Sequence, residues 1–221
     1  MTVTLLHYTP LWVADKAIGK CWNKPTPDVL VSSLKVDGDL VSEELQPGCN
    51  TERIERVANK NKHASTIEHI SYNFDIDGPS RACLQELARH RISSFSVKSS
   101  RYTLKELRKE ESFSSGNDFI KRAEKYLVFT NNIEVNNANI KALESLRLCV
   151  VNNVSNDIAK YCMPESYKTS LVWTINARSL QNFLSLRTSK AALWEIRDLA
   201  NAVYDALPED HKFLFTDAIQ S

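Results

Sequence analysis

Thr169-Ser-Leu-Val-Trp-Thr-Ile-Asn176-Ala-Arg178-Ser-Leu-Gln-Asn182-Phe-Leu-Ser-Leu-Arg187 sets two periodicities side by side. Up to Ile175 the run is β-branched and aromatic, which reads as a buried strand bounded by Asn176. From Arg178 onward, Leu180, Phe183, Leu184 and Leu186 share one face of a helix that runs to Arg187. Asn176 stands where an N-cap would satisfy the first free N–H groups. Working outward, Ala191 to Leu207 reads as a second amphipathic helix, broken by Pro208 before a last short one. Upstream, helices are expected at 117–129, 138–151 and 155–162, separated by punctuation at Asn131, Asn136 and Asn152 and closed by Pro164. A helix over Leu104 to Glu111 precedes them. Ser80 to Arg91 carries the apolar stripe Cys83, Leu84, Leu87 and Ala88. Before it, Ser71 to Ile76 alternates like a strand with one buried face, and Gly78-Pro79 is expected to turn the chain. Residues 51–62 and Thr66 to His69 look helical. Residues 2–8 read as a strand, with Thr9-Pro10 as N-cap and first residue of a helix to about Trp22. Residues 23–50, rich in proline, serine and aspartate, read as a long loop insertion. Few strands, many helices and no internal repeat give an α+β fold, helices packed around a small, largely antiparallel sheet, as a single domain over 1–221.

Composition narrows what such a fold can do. The 221 residues hold 28 basic and 27 acidic side chains, a net charge of +1, so no overall field draws nucleic acid or an anionic membrane. The five glycines stand alone at Gly19, Gly38, Gly48, Gly78 and Gly116, so neither G-x-G-x-x-G nor G-x-x-x-x-G-K-[ST] can be built. Phosphates must be held by side chains or bare helix ends. No apolar run is long enough to cross a bilayer and the start lacks a basic n-region, so a cytoplasmic location is expected. Cys21, Cys49, Cys83, Cys149 and Cys162 include no C-x-x-C pair, which favours free thiols over a disulfide framework or a structural zinc site.

Chemistry concentrates in three places. Arg89-His90-Arg91, followed by Ser94, Ser96, Ser99, Ser100 and Arg101, reads as a helix end and a hydroxyl-rich loop. The cations there either offset a helix dipole or grip an oxyanion. Consecutive helical residues fan by about 100° each, which favours the oxyanion. Arg178 and Asn182, one turn apart on a helix, make either a planar hydrogen-bonding comb or a solvated face behind an Asn176 cap. His63-Ala-Ser65-Thr-Ile-Glu68-His69 lacks the H-E-x-x-H spacing of a zinc protease, so no metal site is expected.

Together, these segments resemble the flavin-dependent thymidylate synthases. The family's R-H-R followed by a tail rich in serine and arginine is matched by Arg89 to Tyr102. Its H-x-x-x-x-E-H is matched at His63 to His69, and its N-A-R-S-L-x-N-F-L-x-L-R at Asn176 to Arg187. The resemblance implies reductive methylation of dUMP to dTMP by a methyltransferase that uses 5,10-methylenetetrahydrofolate as carbon donor, NADPH as reductant and bound FAD as hydride relay. It implies FAD contacts from Ser65, Glu68, Arg89, His90, Arg91, Asn176, Arg178 and Asn182. It implies dUMP contacts from Glu86, Arg89, Val97, Lys98, Ser99, Ser100, Arg101, Lys160 and Arg187. Arg187 would also be catalytic, favouring ionisation of the uracil N3, and Ser99 would contact ligand rather than attack it. A homotetramer whose sites draw on several subunits is implied as well.

Five positions depart from the family pattern. Ser96-Val97 replaces Asn-Glu, so only main-chain contact carries over there. Glu86 stands for glutamine, and Ala191 for a histidine found in some members. Lys160 stands for arginine, keeping the charge while losing the bidentate fork. Two other readings of the residues are a flavoprotein methylating uracil in RNA from the same folate donor, and a single-stranded nucleic-acid-binding module using Arg89 to Arg101 with Phe95 or Tyr102 as stacking platforms. The balanced charge speaks against nucleic acid as partner.

Overall fold

The computed structural model describes residues 1–36, 39–116 and 118–220. Gly38 and Asn117, the first residue of the expected 117–129 helix, lie outside the described residues. In chain order, β1 (Thr2–Tyr8) leads to α1 (Trp12–Trp22), and β2 (Val29–Val36) to β3 (Asp39–Gln46). Next come α2 (Thr51–Glu55), a π turn at Arg56–Lys60, a 3-10 turn at Ala64–Ile67, β4 (Ser71–Ser80) and α3 (Arg81–Leu87). β5 (Ser93–Val97), α4 (Ser100–Thr103), a 3-10 turn at Leu104–Lys109, α5 (Phe119–Ala123), α6 (Ile133–Val151) and α7 (Asn156–Ala159) follow. A 3-10 turn at Lys160–Cys162, β6 (Lys168–Asn176), α8 (Ala177–Arg187), α9 (Trp194–Asp205) and a 3-10 turn at Glu209–Ala218 complete the chain. The fold is α+β, helices with a small antiparallel sheet. One sheet has the order β1-β4-β6-β5, and β2 and β3 pair antiparallel as a separate ribbon.

Two compact units are formed, Met1–Thr4 with Asp75–Trp173, and Leu5–Phe74 with Thr174–Ser221. In the first, Leu104, Leu107, Phe113, Leu127, Leu143 and Leu146 pack as one core. A carboxylate is set into its flank. Glu144 on α6 is only 9% exposed and accepts from Arg147 Nε (2.9 Å) and Nη2 (2.7 Å), Ser112 Oγ (3.1 Å) and Phe113 N (2.8 Å). The Arg147 hydrogen bonds, helped by Phe113 N–H and Ser112 and opposed by burial, hold the carboxyl down at about 2. In the second unit, Ile67, Ile70, Tyr72, Phe74, Ile175, Leu180, Phe183 and Phe215 are buried. Tyr72 Oη and His211 Nδ1 lie 2.8 Å apart there. Burial lowers the His211 pKa, against the raising field of Asp210.

Several local expectations need correction. The helix after β1 starts at Trp12, and Thr9 does not cap it; its Oγ1 accepts from Ser71 N (3.2 Å) while its N–H donates to Ser71 O (2.9 Å). Gly78 adopts φ +86° yet lies inside β4, so the glycine makes a strand irregularity where the sequence predicts a turn. Within 23–50 the hairpin β2–β3 replaces much of the expected loop. α3 ends at Leu87, where Arg89 N bonds Glu86 O and His90 N bonds Leu87 O, so Arg89-His90-Arg91 follow the helix instead of ending it. α6 begins at Ile133 because Asn132 accepts from Glu134 N and Val135 N. Asn136, expected as punctuation, is buried inside that helix and clamps Thr130 through both amide atoms. The helix expected over 117–129 shrinks to α5, and the one expected from Ala191 begins at Trp194.

Candidate active site

In the second unit the site is built on the junction from β6 to α8. Asn176 caps α8, its side-chain oxygen accepting from Ser179 N (2.8 Å), so that acceptor is committed to the helix start. Ala177 N donates to Ile70 O (2.8 Å), which brings the turn carrying Ser65 and Glu68 against the start of α8. Glu68 Oε1 thereby meets Arg178 Nη1 at 2.6 Å, with the side chains 44% and 56% exposed. So open an ion pair adds under about 1 kcal/mol to stability, but it fixes where the guanidinium points. Ser65 is exposed on the same turn, and its carbonyl accepts from Glu68 N (3.2 Å).

Arg178 and Asn182 line one cavity of about 280 Å³, together with Lys62, Gln181, Ser185 and Asp217. Gln181 Nε2 donates to Asn59 Oδ1 (3.0 Å) and to Leu214 O (2.6 Å), and Asn59 Nδ2 donates to Phe213 O (3.1 Å). This amide chain ties α8 to the C-terminal 3-10 turn. Arg187, at the other end of α8, is half-buried and lies outside the lining of the cavity. His63 and His69 are both exposed, and no group of three or more metal-ligating side chains gathers among the described residues.

In the first unit Glu86 and Arg89 form a loose i,i+3 pair at 3.9 Å. His90 is buried and its carbonyl accepts from Ser93 Oγ (2.6 Å), while Arg91 is exposed. Val97 is exposed at the end of β5, and Lys98 N donates to Ser170 O (2.8 Å). Lys98 Nζ pairs with Glu106 at 3.3 Å. Ser99 holds the N-cap position of α4 without a side-chain cap bond, and Ser100 opens the helix. Arg101 is docked onto α7: its Nε lies 2.9 Å from Asp157 Oδ1, and its carbonyl accepts from Asn156 Nδ2 (2.6 Å). Lys160 opens the 3-10 turn that continues α7, its Nζ 5.9 Å from the centre of the Tyr161 ring.

Each unit therefore gathers its own share of the expected residues. Glu68, Arg178 and Asn182 come together in one, and Arg101 and the segment carrying Lys160 in the other. Sequence reasoning missed Asn59, Lys62, Gln181, Asn156 and Asp157. Gln181 occupies the variable position of the N-A-R-S-L-x-N motif, and Asn156 and Asp157 matter through a tertiary contact that leaves no local signal.

Taken together, the fold and these clusters define an α+β protein that presents guanidinium, amide and hydroxyl groups, suited to a phosphate or a heterocycle edge. The family model described as Thy1, thymidylate synthase complementing protein, matches residues 4–211. The flavin-dependent thymidylate synthase of Wolinella succinogenes is 56% identical over 215 residues, covering 97% of each chain. That of Helicobacter pylori (strain ATCC 700392 / 26695) is 50% identical over 222 residues, covering 100% of each. A crystal structure of thymidylate synthase X from Helicobacter pylori with FAD and dUMP is similar with a TM-score of 0.86 at 49% identity, covering 100% of both chains. This chain belongs to the flavin-dependent thymidylate synthase family. Among its described residues no helix is long and apolar enough to cross a membrane.

Proposed function

We propose that this chain carries out the reductive methylation of dUMP to dTMP, with 5,10-methylenetetrahydrofolate as carbon donor and NADPH as reductant, as a cytoplasmic flavoprotein. The observation that carries the reading is the meeting of Glu68 with Arg178 at 2.6 Å beside Asn182, which joins two motifs distant in sequence in one cluster. The donors there fit a flavin: Arg178, Asn182 and Lys62 offer N–H groups to a heterocycle edge or a pyrophosphate without any glycine loop. Ser65, Glu68, Arg89, His90, Arg91, Asn176, Arg178 and Asn182 would hold FAD, which when bound relays hydride from NADPH to the transferred carbon.

About 280 Å³ is small for a whole dinucleotide. That size supports a homotetramer in which several subunits complete each site. One family model spans both compact units, which supports treating them as a single functional domain.

On the substrate side, Ser99, Ser100, Arg101 and Lys160 hold the dUMP phosphate, with Glu86, Arg89 and the 97–98 main chain completing the contacts. Arg187 faces the uracil. A guanidinium keeps its protons, so it stabilises the N3 anion without competing for the proton, and the ring carbon becomes nucleophilic. No protein nucleophile is needed.

The test is the absorption spectrum of the purified protein with and without dUMP, followed by NADPH oxidation. The expected result is a flavin spectrum that dUMP alters and NADPH oxidation that depends on dUMP. A colourless protein that takes up neither FAD nor dUMP would overturn the proposal. Uracil-containing RNA as the preferred methyl acceptor would redirect it.

A further inference from the structure

Cys149 lies in the last turn of α6 and Cys162 ends the 3-10 turn after α7, and their Sγ atoms are 4.0 Å apart. Cys149 is half-buried and Cys162 exposed. Burial and the neighbouring thiol push the Cys149 thiol up from its ordinary value. We propose that these two residues form a dithiol site that a low-molecular-weight disulfide of the glutathione type closes to an intramolecular disulfide, and that closure displaces Lys160.

A disulfide needs its sulfurs about 2.05 Å apart, so the present gap must shrink by roughly 2 Å. α6 is poor at supplying that movement, because Leu146 and Val150 on either side of Cys149 are fixed in the core. The turn Lys160–Cys162 has no buried residue, so it is the part that moves. The segment enclosed by the two cysteines also contains Asp157, which holds Arg101. The covalent steps balance. The Cys162 thiolate attacks one sulfur of glutathione disulfide and expels a glutathione thiolate. The Cys149 thiolate then attacks Cys162 Sγ and expels the second, and the two protons lost by the cysteines end on the two glutathione thiols. Exposure sets that order, since the more accessible thiol reacts first.

The consequence for Lys160 rests on its proposed role at the dUMP phosphate. The test therefore reads the covalent step and the substrate separately. The flavin-loaded holoenzyme is equilibrated with glutathione disulfide, alkylated with N-ethylmaleimide and analysed by peptide mass. The expected result is a Cys149–Cys162 peptide pair two hydrogens lighter, reversed by dithiothreitol, with Cys21, Cys49 and Cys83 still open to alkylation after unfolding. Half-saturation by dUMP is expected to rise by up to about fivefold on closure, the scale of one exposed ion pair. Cys149→Ser should show neither change while keeping its basal activity. Cys162 ending as a glutathione adduct beside an alkylatable Cys149, or both thiols staying free, would overturn the dithiol. A closed disulfide with unchanged dUMP half-saturation overturns the Lys160 step. A holoenzyme that binds no dUMP overturns that step along with the function it depends on, while the peptide masses still decide the dithiol.

Discussion

Replacing Glu144 by glutamine isolates a buried carboxylate–guanidinium pair in the first unit. Oε1 accepts from Ser112 Oγ and Arg147 Nη2, and Oε2 from Phe113 N and Arg147 Nε. A glutamine keeps the shape but must turn an NH2 group toward one of these pairs. The less costly orientation puts it opposite Ser112, whose hydroxyl can rotate to accept, yet that NH2 still confronts Arg147. The guanidinium, 13% exposed, loses its counter-charge. Losing one charge-assisted hydrogen bond and setting two donors against each other in its place costs about 3 kcal/mol. The depression of the carboxyl from 4.5 to about 2 gives a figure of the same order, about 3 kcal/mol at neutral pH. Because the folded-state value is the lower one, this stability is fully present above 4.5 and is lost as pH falls from there toward 2. In urea unfolding at fixed protein concentration, the midpoint of Glu144→Gln should fall by about 1 M or more at pH 7. The gap to the wild type should narrow at pH 3.5. An unchanged midpoint at pH 7, or a gap of equal size at both pH values, would refute the reasoning.

Three further outcomes are expected. Arg187→Ala should abolish dTMP formation yet leave the flavin bound, read by product assay and absorption spectrum; retained turnover removes the role proposed for that guanidinium. Glu68→Gln should change stability by less than about 1 kcal/mol, since the pair is exposed, while weakening FAD binding several-fold. Titration of apoprotein with FAD measures this, and unaltered affinity counts against Glu68 as the group that orients Arg178. A Cβ on Gly48 would run into the carbonyl oxygen of Pro27, so Gly48→Ala must push the base of the hairpin apart. A loss of about 1–3 kcal/mol and earlier proteolytic nicking within 23–50 are expected, and wild-type resistance would show that the segment adjusts freely.

What can be read from sequence divides by the range of the interaction. The junction from β6 to α8 is legible because a strand period, a cap and a helix period follow one another within a short stretch, and Asn176 does cap the helix. Gly78 is legible as a residue that takes positive φ, but the same conformation serves a turn or a strand irregularity, and only the neighbouring strands decide. The hairpin within 23–50 stays hidden because it buries little. Val29, Leu30 and Val31 are each more than half exposed, so no alternation of buried and open positions marks its start. The pairing of Glu68 with Arg178 and of Arg101 with Asp157 joins positions far apart in the chain, and local periodicity cannot encode such contacts. The resemblance names Glu68, Arg178 and Arg101 individually, and Asp157 not at all.

Those pairings bear on how a chain so poor in glycine could hold anions. Arg178 meets Glu68, Arg101 meets Asp157, Arg89 meets Glu86 and Lys98 meets Glu106, so four of the cations proposed for ligand binding each face a carboxylate. In a glycine loop the backbone N–H groups are oriented by the turn itself. Here long side chains would lose rotamer freedom on binding, and a carboxylate partner restricts that freedom beforehand. All four pairs are substantially exposed and individually weak, so a phosphate that offers bidentate hydrogen bonds can displace the carboxylate at small cost. On the binding roles proposed for these cations, the carboxylates would serve as orienting partners before ligand arrives: too weak to hold the cation against a phosphate, and close enough to aim it.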